Sequence, residues 1–152
     1  MTLGNEQMTS EQFQRRFGSS LQPPPETGRA KRKGKYDAVP TVWRGRRYDS
    51  KGEASYAMHL ETCLATGIYA TVLRQVPIDL GPDERVTVDW VAHYGEESPL
   101  AGGLVAIEFK GMETPRFRQV RRLWAKYGPF DMLIVTGRGD RLSYETIPGG
   151  GA

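Results

Sequence analysis

Two runs of alternating residues, separated by a glycine-bounded loop, constrain this chain more than any other feature. In Arg85–His93, Val86, Val88 and Trp90 alternate with Thr87, Asp89 and Val91. In Leu104–Lys110, Val105, Ile107 and Phe109 alternate with Ala106, Glu108 and Lys110. A period of two places successive side chains on opposite faces of a strand. The large apolar face of the second run therefore predicts core. Its other face sets a carboxylate and an ammonium roughly 7 Å apart along the strand. If the two runs pair across the Gly95–Gly103 loop, Asp89 joins Glu108 and Lys110 on one surface.

The remaining elements follow from turn residues and apolar spacing. Val42–Tyr48 reads as a hairpin turning at Arg44-Gly45. A helix is predicted from after Ser50 to about Ala65, closed by Gly67. Tyr69–Leu80 is extended and broken at Pro77, and Gly81-Pro82-Asp83 forms a turn. A second helix runs from about Pro115, with the proline in its first turn, to Tyr127. Phe117, Val120, Trp124 and Tyr127 give it an apolar face. Asp131–Thr136 and Arg141–Ile147 complete the sheet. Helix, several strands, helix and strand describe an α/β or α+β sheet flanked by helices.

At 152 residues, 38% of them hydrophobic, the chain has material for one core provided its ends are left out of it. Residues 1–28 hold few apolar positions. Apart from a short amphipathic turn at Gln12–Phe17, they read as a flexible segment ending in a proline-rich linker through Pro23-Pro24-Pro25 and Gly28. The domain is expected over 29–147, opening with a basic arm, and 148–152 reads as a disordered tail. Cys63 is the only cysteine, which excludes an internal disulfide framework and a cysteine-based zinc site. The N-terminus is too polar for a signal peptide, and no apolar run nears the ~20 residues that span a bilayer. A reducing cytoplasm is the expected location, with no membrane partner.

The net charge of +3 is small, but the charges are segregated. Arg29, Lys31, Arg32, Lys33 and Lys35 form one cluster, and Arg44, Arg46, Arg47 and Lys51 a second. Arg116, Arg118, Arg121, Arg122 and Lys126 form a third. A single basic run is often a solvated face, whereas three in one small domain point to a polyanion, with nucleic acid the first expectation. Neither a serine triad nor a phosphate-cradling glycine loop is present, and His59 and His93 lack ligand spacing.

Asp89, Glu108 and Lys110 on neighbouring strands suit phosphodiester hydrolysis. Two carboxylates bind a hard cation such as Mg²⁺, which prefers oxygen ligands. A lysine beside it can orient an attacking water or offset developing charge. Taken alone, Glu-x-Lys is equally a surface ion pair. Glu53 also reads two ways. Ser50-Lys51-Gly52-Glu53 fits a capping box, in which the glutamate satisfies an orphan backbone donor. Yet Glu53 shares a helical face with Ala57, Leu60 and Leu64, so its carboxylate sits at the end of an apolar stripe and needs a partner, such as a metal.

Ser50-Lys51-Gly52-Glu53-Ala54, Gln75-Val76-Pro77, Val88-Asp89-Trp90, Glu108-Phe109-Lys110-Gly111 and Thr114-Pro115-Arg116-Phe117 together resemble phage endonuclease I-like Holliday-junction resolvases of the PD-(D/E)xK nuclease superfamily. The resemblance runs from about Lys35 to Thr136. It implies a restriction-endonuclease-like mixed β-sheet flanked by helices, with an α-β-β-β-α-β core. It implies that Asp89 and Glu108, with the Phe109 main-chain carbonyl, bind a first Mg²⁺, for which Mn²⁺ substitutes. Glu53 would share a second metal with Asp89, and Lys110 would serve the nucleophilic water. The nominal Pro-Asp of the motif is Val88-Asp89 here. Gln75 falls at a Gln-x-Pro element of the relatives and reads as a strand-end hydrogen bond. A phage-encoded protein of this kind would work in the host cytoplasm, in recombination or genome packaging.

DNA contacts are expected from Lys31, Arg32, Lys33 and Lys35 on the arm, from Arg46 and Arg47, and from Arg118, Arg121 and Arg122 on the last helix, all acting on phosphates. No base-reading module is present, so shape and branching are the expected determinants. A four-way junction has two-fold character, and cutting it symmetrically calls for a homodimer, with Tyr69–Leu80 or the N-terminal segment as the crossing element. Two further readings stand beside junction resolution. One is a nuclease acting on linear or other branched DNA. The other is a non-catalytic DNA-binding module, against which the complete Glu/Asp/Glu/Lys set argues.

Overall fold

The computed structural model describes residues 38–151. The segment 1–28, its Gln12–Phe17 turn, and the basic arm with Lys31, Arg32, Lys33 and Lys35 lie outside the described residues. The described chain forms a mixed α/β structure that resolves into two compact units, 38–57 with Arg138–Arg141, and Met58–Gly137 with 142–151.

The smaller unit is built on a hairpin. Strands β1 (Thr41–Trp43) and β2 (Arg46–Tyr48) pair antiparallel, with Trp43 opposite Arg46. The turn falls at Arg44-Gly45, as expected, and both residues adopt positive φ, 48° and 72°. Two successive left-handed residues match the twist of a two-residue hairpin, and glycine makes the second of them cheap. Trp43 and Tyr48 are buried and pack ring to ring at 6.4 Å. Helix α1 (Lys51–Ala65) starts here behind Ser50, as the sequence predicts.

The larger unit carries a five-stranded mixed sheet in the order β3-β4-β5-β6-β7. The strands are β3 (Tyr69–Asp79), β4 (Arg85–Tyr94), β5 (Leu104–Phe109), β6 (Asp131–Arg138) and β7 (Arg141–Ile147). β3, β4 and β5 run as an antiparallel meander. Helix α2 (Pro115–Tyr127) then carries the chain over to β6, parallel to β5. Thr114 caps α2 by accepting from the Phe117 N–H at 3.1 Å, and Pro115 opens its first turn, where an N–H would be orphaned anyway. β3 is unbroken at Pro77, contrary to expectation. It lies at the edge of the sheet, where a residue without an N–H can face away from the ladder.

The core lies between α2 and the sheet. Phe117, Val120 and Trp124 pack with Leu80, Val86, Val88, Val91, Ala106, Met132, Ile134 and Ile147. Ala106 therefore faces the core, whereas the alternation of Leu104–Lys110 reserved that face for chemistry. Val105 and Ile107, of opposite parity, are buried as well. β5 is the central strand of five and has a parallel neighbour, and such strands are covered on both faces. Glu108 thus stands at the end of a core face rather than on an open surface.

Pro148 to Gly151 has no regular structure, and main-chain hydrogen bonds tie it to neighbouring residues. The Gly149 N–H donates to Asp131 Oδ1 (3.1 Å) and the Gly151 N–H to the Gly128 carbonyl (3.0 Å). A Cβ on Gly150 would stand 2.4 Å from the carbonyl oxygens of Ala125 and Lys126. Glycine is what lets this segment lie against the end of α2. Among the described residues, no helix is long and apolar enough to cross a membrane.

Candidate active site

Strands β4 and β5 pair regularly from His93↔Leu104 to Trp90↔Ile107, and the next facing positions are Asp89 and Glu108. There, side chains take over the bonding between strands. The Asp89 N–H donates to Glu108 Oε2 (3.1 Å), and the Phe109 N–H donates to Asp89 Oδ2 (2.9 Å). β5 meanwhile stays bonded to β6, with the Lys110 N–H donating to the Val135 carbonyl at 2.8 Å. The sheet therefore parts on one side only, and two carboxylates sit in the parting. β4 also changes face here. Val88 and Val91, three residues apart, belong to the same core cluster, which an uninterrupted period of two does not allow.

Lys110 Nζ lies 2.5 Å from Glu108 Oε1 and 4.8 Å from the centre of the Phe117 ring. Glu108 is 7% exposed. Burial, and then the adjacent Asp89 charge, push its carboxyl above the ordinary carboxylate range. The Lys110 ammonium and the Asp89 N–H oppose that shift. Asp89, Glu108 and Lys110 are thus brought together, as the sequence predicts.

Gln75 extends the group, and sequence reasoning assigned it no more than a strand-end bond. It sits mid-strand, opposite Asp89, between the regular pairs Arg74↔Trp90 and Val76↔Val88. Its φ is +53°, and among described residues other than glycine only Gln75 and the turn residue Arg44 are positive. Its Nε2 reaches Asp89 Oδ1 at 3.3 Å. Left-handed backbone at such a residue costs ~1–3 kcal/mol and persists only where surroundings enforce it. The sequence signal was the polar pair Arg74-Gln75 interrupting Val72-Leu73 and Val76, with Pro77 two residues beyond Gln75.

A cavity of about 230 Å³ opens beside Glu108. Its lining includes Val88, Phe117, Thr114 and the basic residues Arg85, Lys110 and Arg116. Arg85 is bound by Asp79 (2.6 Å) and Arg116 by Glu84. Of the arginines expected at DNA, Arg118 and Arg122 are exposed on α2. Arg121 is instead held between Glu113 (3.0 Å) and Glu145.

Arg46, Arg47 and Glu53 belong to the smaller unit. Both arginines are exposed on β2. Glu53 is 6% exposed and does the work of a cap. Its N–H donates to Ser50 Oγ (3.0 Å), and its Oε2 accepts from the Asp49 N–H (2.9 Å). This is a capping box displaced by one residue at its return bond.

Among the described residues, no three His, Cys, Asp or Glu side chains form a ready-made metal cluster. The Asp89/Glu108 pair nevertheless fits a hard divalent cation. The two carboxylates are neighbours, Glu108 is buried, and burial followed by the Asp89 charge raises its carboxyl, a cost that a bound cation would offset. A Mg²⁺ ion keeps several waters and is ordinarily bound through one or two carboxylates, which this pair would supply.

No protein-family model matches this chain, and no curated protein matches it. Among solved structures it superposes on the crystal structure of SSO0001 with a TM-score of 0.33 and 14% identity over 65% of its residues. The chain spans about half, 52%, of that structure's length. So loose a superposition carries no argument.

Proposed function

We propose that this chain is a divalent-metal-dependent DNA endonuclease of the PD-(D/E)xK type with a restriction-endonuclease-like core. Its proposed substrate is branched DNA, and a homodimer would resolve four-way junctions by paired nicks. The observation that supports this reading best is the junction of Asp89, Glu108 and Lys110 where β4 parts from β5, beside a cavity with a basic lining.

Asp89, Glu108 and the Phe109 carbonyl would hold Mg²⁺ or Mn²⁺. Bound there, the cation supplies Lewis acidity toward the scissile phosphate and its attacking water. The protein's own groups do the rest. Asp89 is oriented through both of its oxygens, by Gln75 and by the Phe109 N–H. Lys110 is aimed by Glu108 and by the Phe117 ring, so its ammonium needs little reorganisation to meet an incoming oxygen. Exposed Arg118 and Arg122 would bind backbone phosphates without reading bases.

The test incubates the protein and Mg²⁺ with a labelled four-way junction and, separately, with a linear duplex of the same sequence. Paired symmetric nicks confined to the junction are expected. Equal cutting of both would remove the branch selectivity, and tight binding without cutting would remove the catalytic reading.

A further inference from the structure

The left-handed backbone of Gln75 has no turn, ladder end or glycine to account for it. β3 is regular on both sides of it, with Arg74 opposite Trp90 and Val76 opposite Val88. The distortion is confined to the one residue that faces Asp89, and its carboxamide lies on an Asp89 oxygen. β4 switches faces over the same step. The two strands are therefore deformed together, at the level of the carboxylates and nowhere else along their shared register from Thr71 to Asp79.

We infer that Gln75 is a positioning residue, held in strained backbone so that its carboxamide fixes the rotation of the Asp89 carboxylate for divalent-cation binding. This inference rests on the nuclease reading. Asp89 Oδ2 is taken by the Phe109 N–H of β5 and Oδ1 by Gln75 of β3, so the carboxylate is clamped from both neighbouring strands. A carboxylate oxygen that accepts one hydrogen bond keeps a second lone pair for a cation. Partners behind a ligand typically tune metal affinity or activity 10–100-fold by orienting it.

Glycine at 75 removes the carboxamide and relieves the left-handed backbone at once. A positioning role thus predicts opposite signs for two measurements, which an ordinary structural role does not. The metal-free melting temperature of Gln75→Gly is expected to equal or exceed that of the wild type. Its affinity for Mn²⁺ alone, measured by isothermal titration, is expected to fall roughly 10-fold or more. Junction cleavage should fall in kcat and recover in part at high Mn²⁺, while DNA affinity in Ca²⁺ is unchanged. Gln75→Asn, which tolerates the same backbone but is one methylene too short to reach Asp89, should lose metal affinity in the same way. Wild-type Mn²⁺ affinity in both variants would overturn the inference, and so would a fall in melting temperature that accounts for the loss in both. A wild-type protein that binds no Mn²⁺ would bring down the nuclease reading together with this one. Binding by the wild type, matched by the variants, brings down this one alone.

Discussion

Asp89 and Glu108 face each other across two antiparallel strands and are joined by the Asp89 N–H, which donates to Glu108 Oε2 at 3.1 Å. Asp89 in turn accepts from the Phe109 N–H, the neighbour of Glu108. Each carboxylate therefore accepts from a main-chain N–H of the opposite strand. Acidic residues are poor strand formers in general. Here they bond to the main chain of the facing strand, so their placement has a structural reason of its own.

Because Glu108 carries a structural bond, neutralising it should separate folding from function. Glu108→Gln keeps an oxygen that can accept from the Asp89 N–H and removes the repulsion with Asp89. Its melting temperature is expected within a few degrees of the wild type, since ~1 kcal/mol moves a domain of this size by only a few degrees. Mn²⁺ binding and junction cleavage should both be lost. Wild-type cleavage in this variant, measured on labelled junctions, would contradict the site.

The pH dependence of stability has a definite sign. The Glu108 carboxyl is raised above its ordinary 4.5, first by burial and then by Asp89, so the folded protein holds this proton more tightly than the unfolded chain. The resulting stabilisation is fully present below the ordinary value and is lost as pH rises through the shifted one. Urea denaturation of the metal-free protein should show that decline, and Glu108→Gln should flatten it. Added Mg²⁺ should flatten it in the wild type too, by offsetting the same charge.

Lys110 and Glu108 should be coupled. Removing the ammonium leaves a largely buried carboxylate without its closest counter-charge, and a loss of ~1–3 kcal/mol is expected for Lys110→Met, below the full cost for a deeply buried pair because Lys110 is partly exposed. In a Lys110→Met/Glu108→Gln double variant, most of that loss should return. A double-mutant cycle by chemical denaturation measures it, and strict additivity would mean that the 2.5 Å contact contributes nothing.

The glycine-rich segment after β7 carries its own test. Gly150 fits against α2 only because it has no Cβ, and Gly150→Ala is expected to cost ~1–3 kcal/mol by overpacking against main-chain carbonyls. Equilibrium denaturation at wild-type stability would show the segment to be dispensable.

Most of the element order was legible because each element announces itself locally: Arg44-Gly45 for the hairpin, Ser50 for α1, Thr114-Pro115 for α2, and alternation for β4 and β5. The facing of Asp89 and Glu108 was legible for the same reason, since pairing across one loop fixes it. What escaped were features set by neighbours distant in sequence. Whether Ala106 looks at core or solvent depends on α2 and β6. Pro77 is harmless only because β3 is an edge. The role of Gln75 depends on a backbone conformation that no side-chain pattern encodes. Glu53 kept both its readings in the sequence, and its capping bonds realise the local one.

The arginines of α2, alike in sequence, should behave differently at DNA. Arg121 is engaged by both Glu113 and Glu145, so releasing it to a phosphate would expose two carboxylates to the same polyanion. Arg118 and Arg122 are exposed on the same helix. If the helix lies along the backbone, Arg118→Gln and Arg122→Gln should each weaken junction binding and reduce the salt slope by about one. Arg121→Gln should leave the slope near its wild-type value and lower stability slightly by unpairing the two glutamates. Binding isotherms at several salt concentrations in Ca²⁺ would show this. A larger slope change for Arg121 than for its two neighbours would mean that the carboxylates let go when DNA arrives.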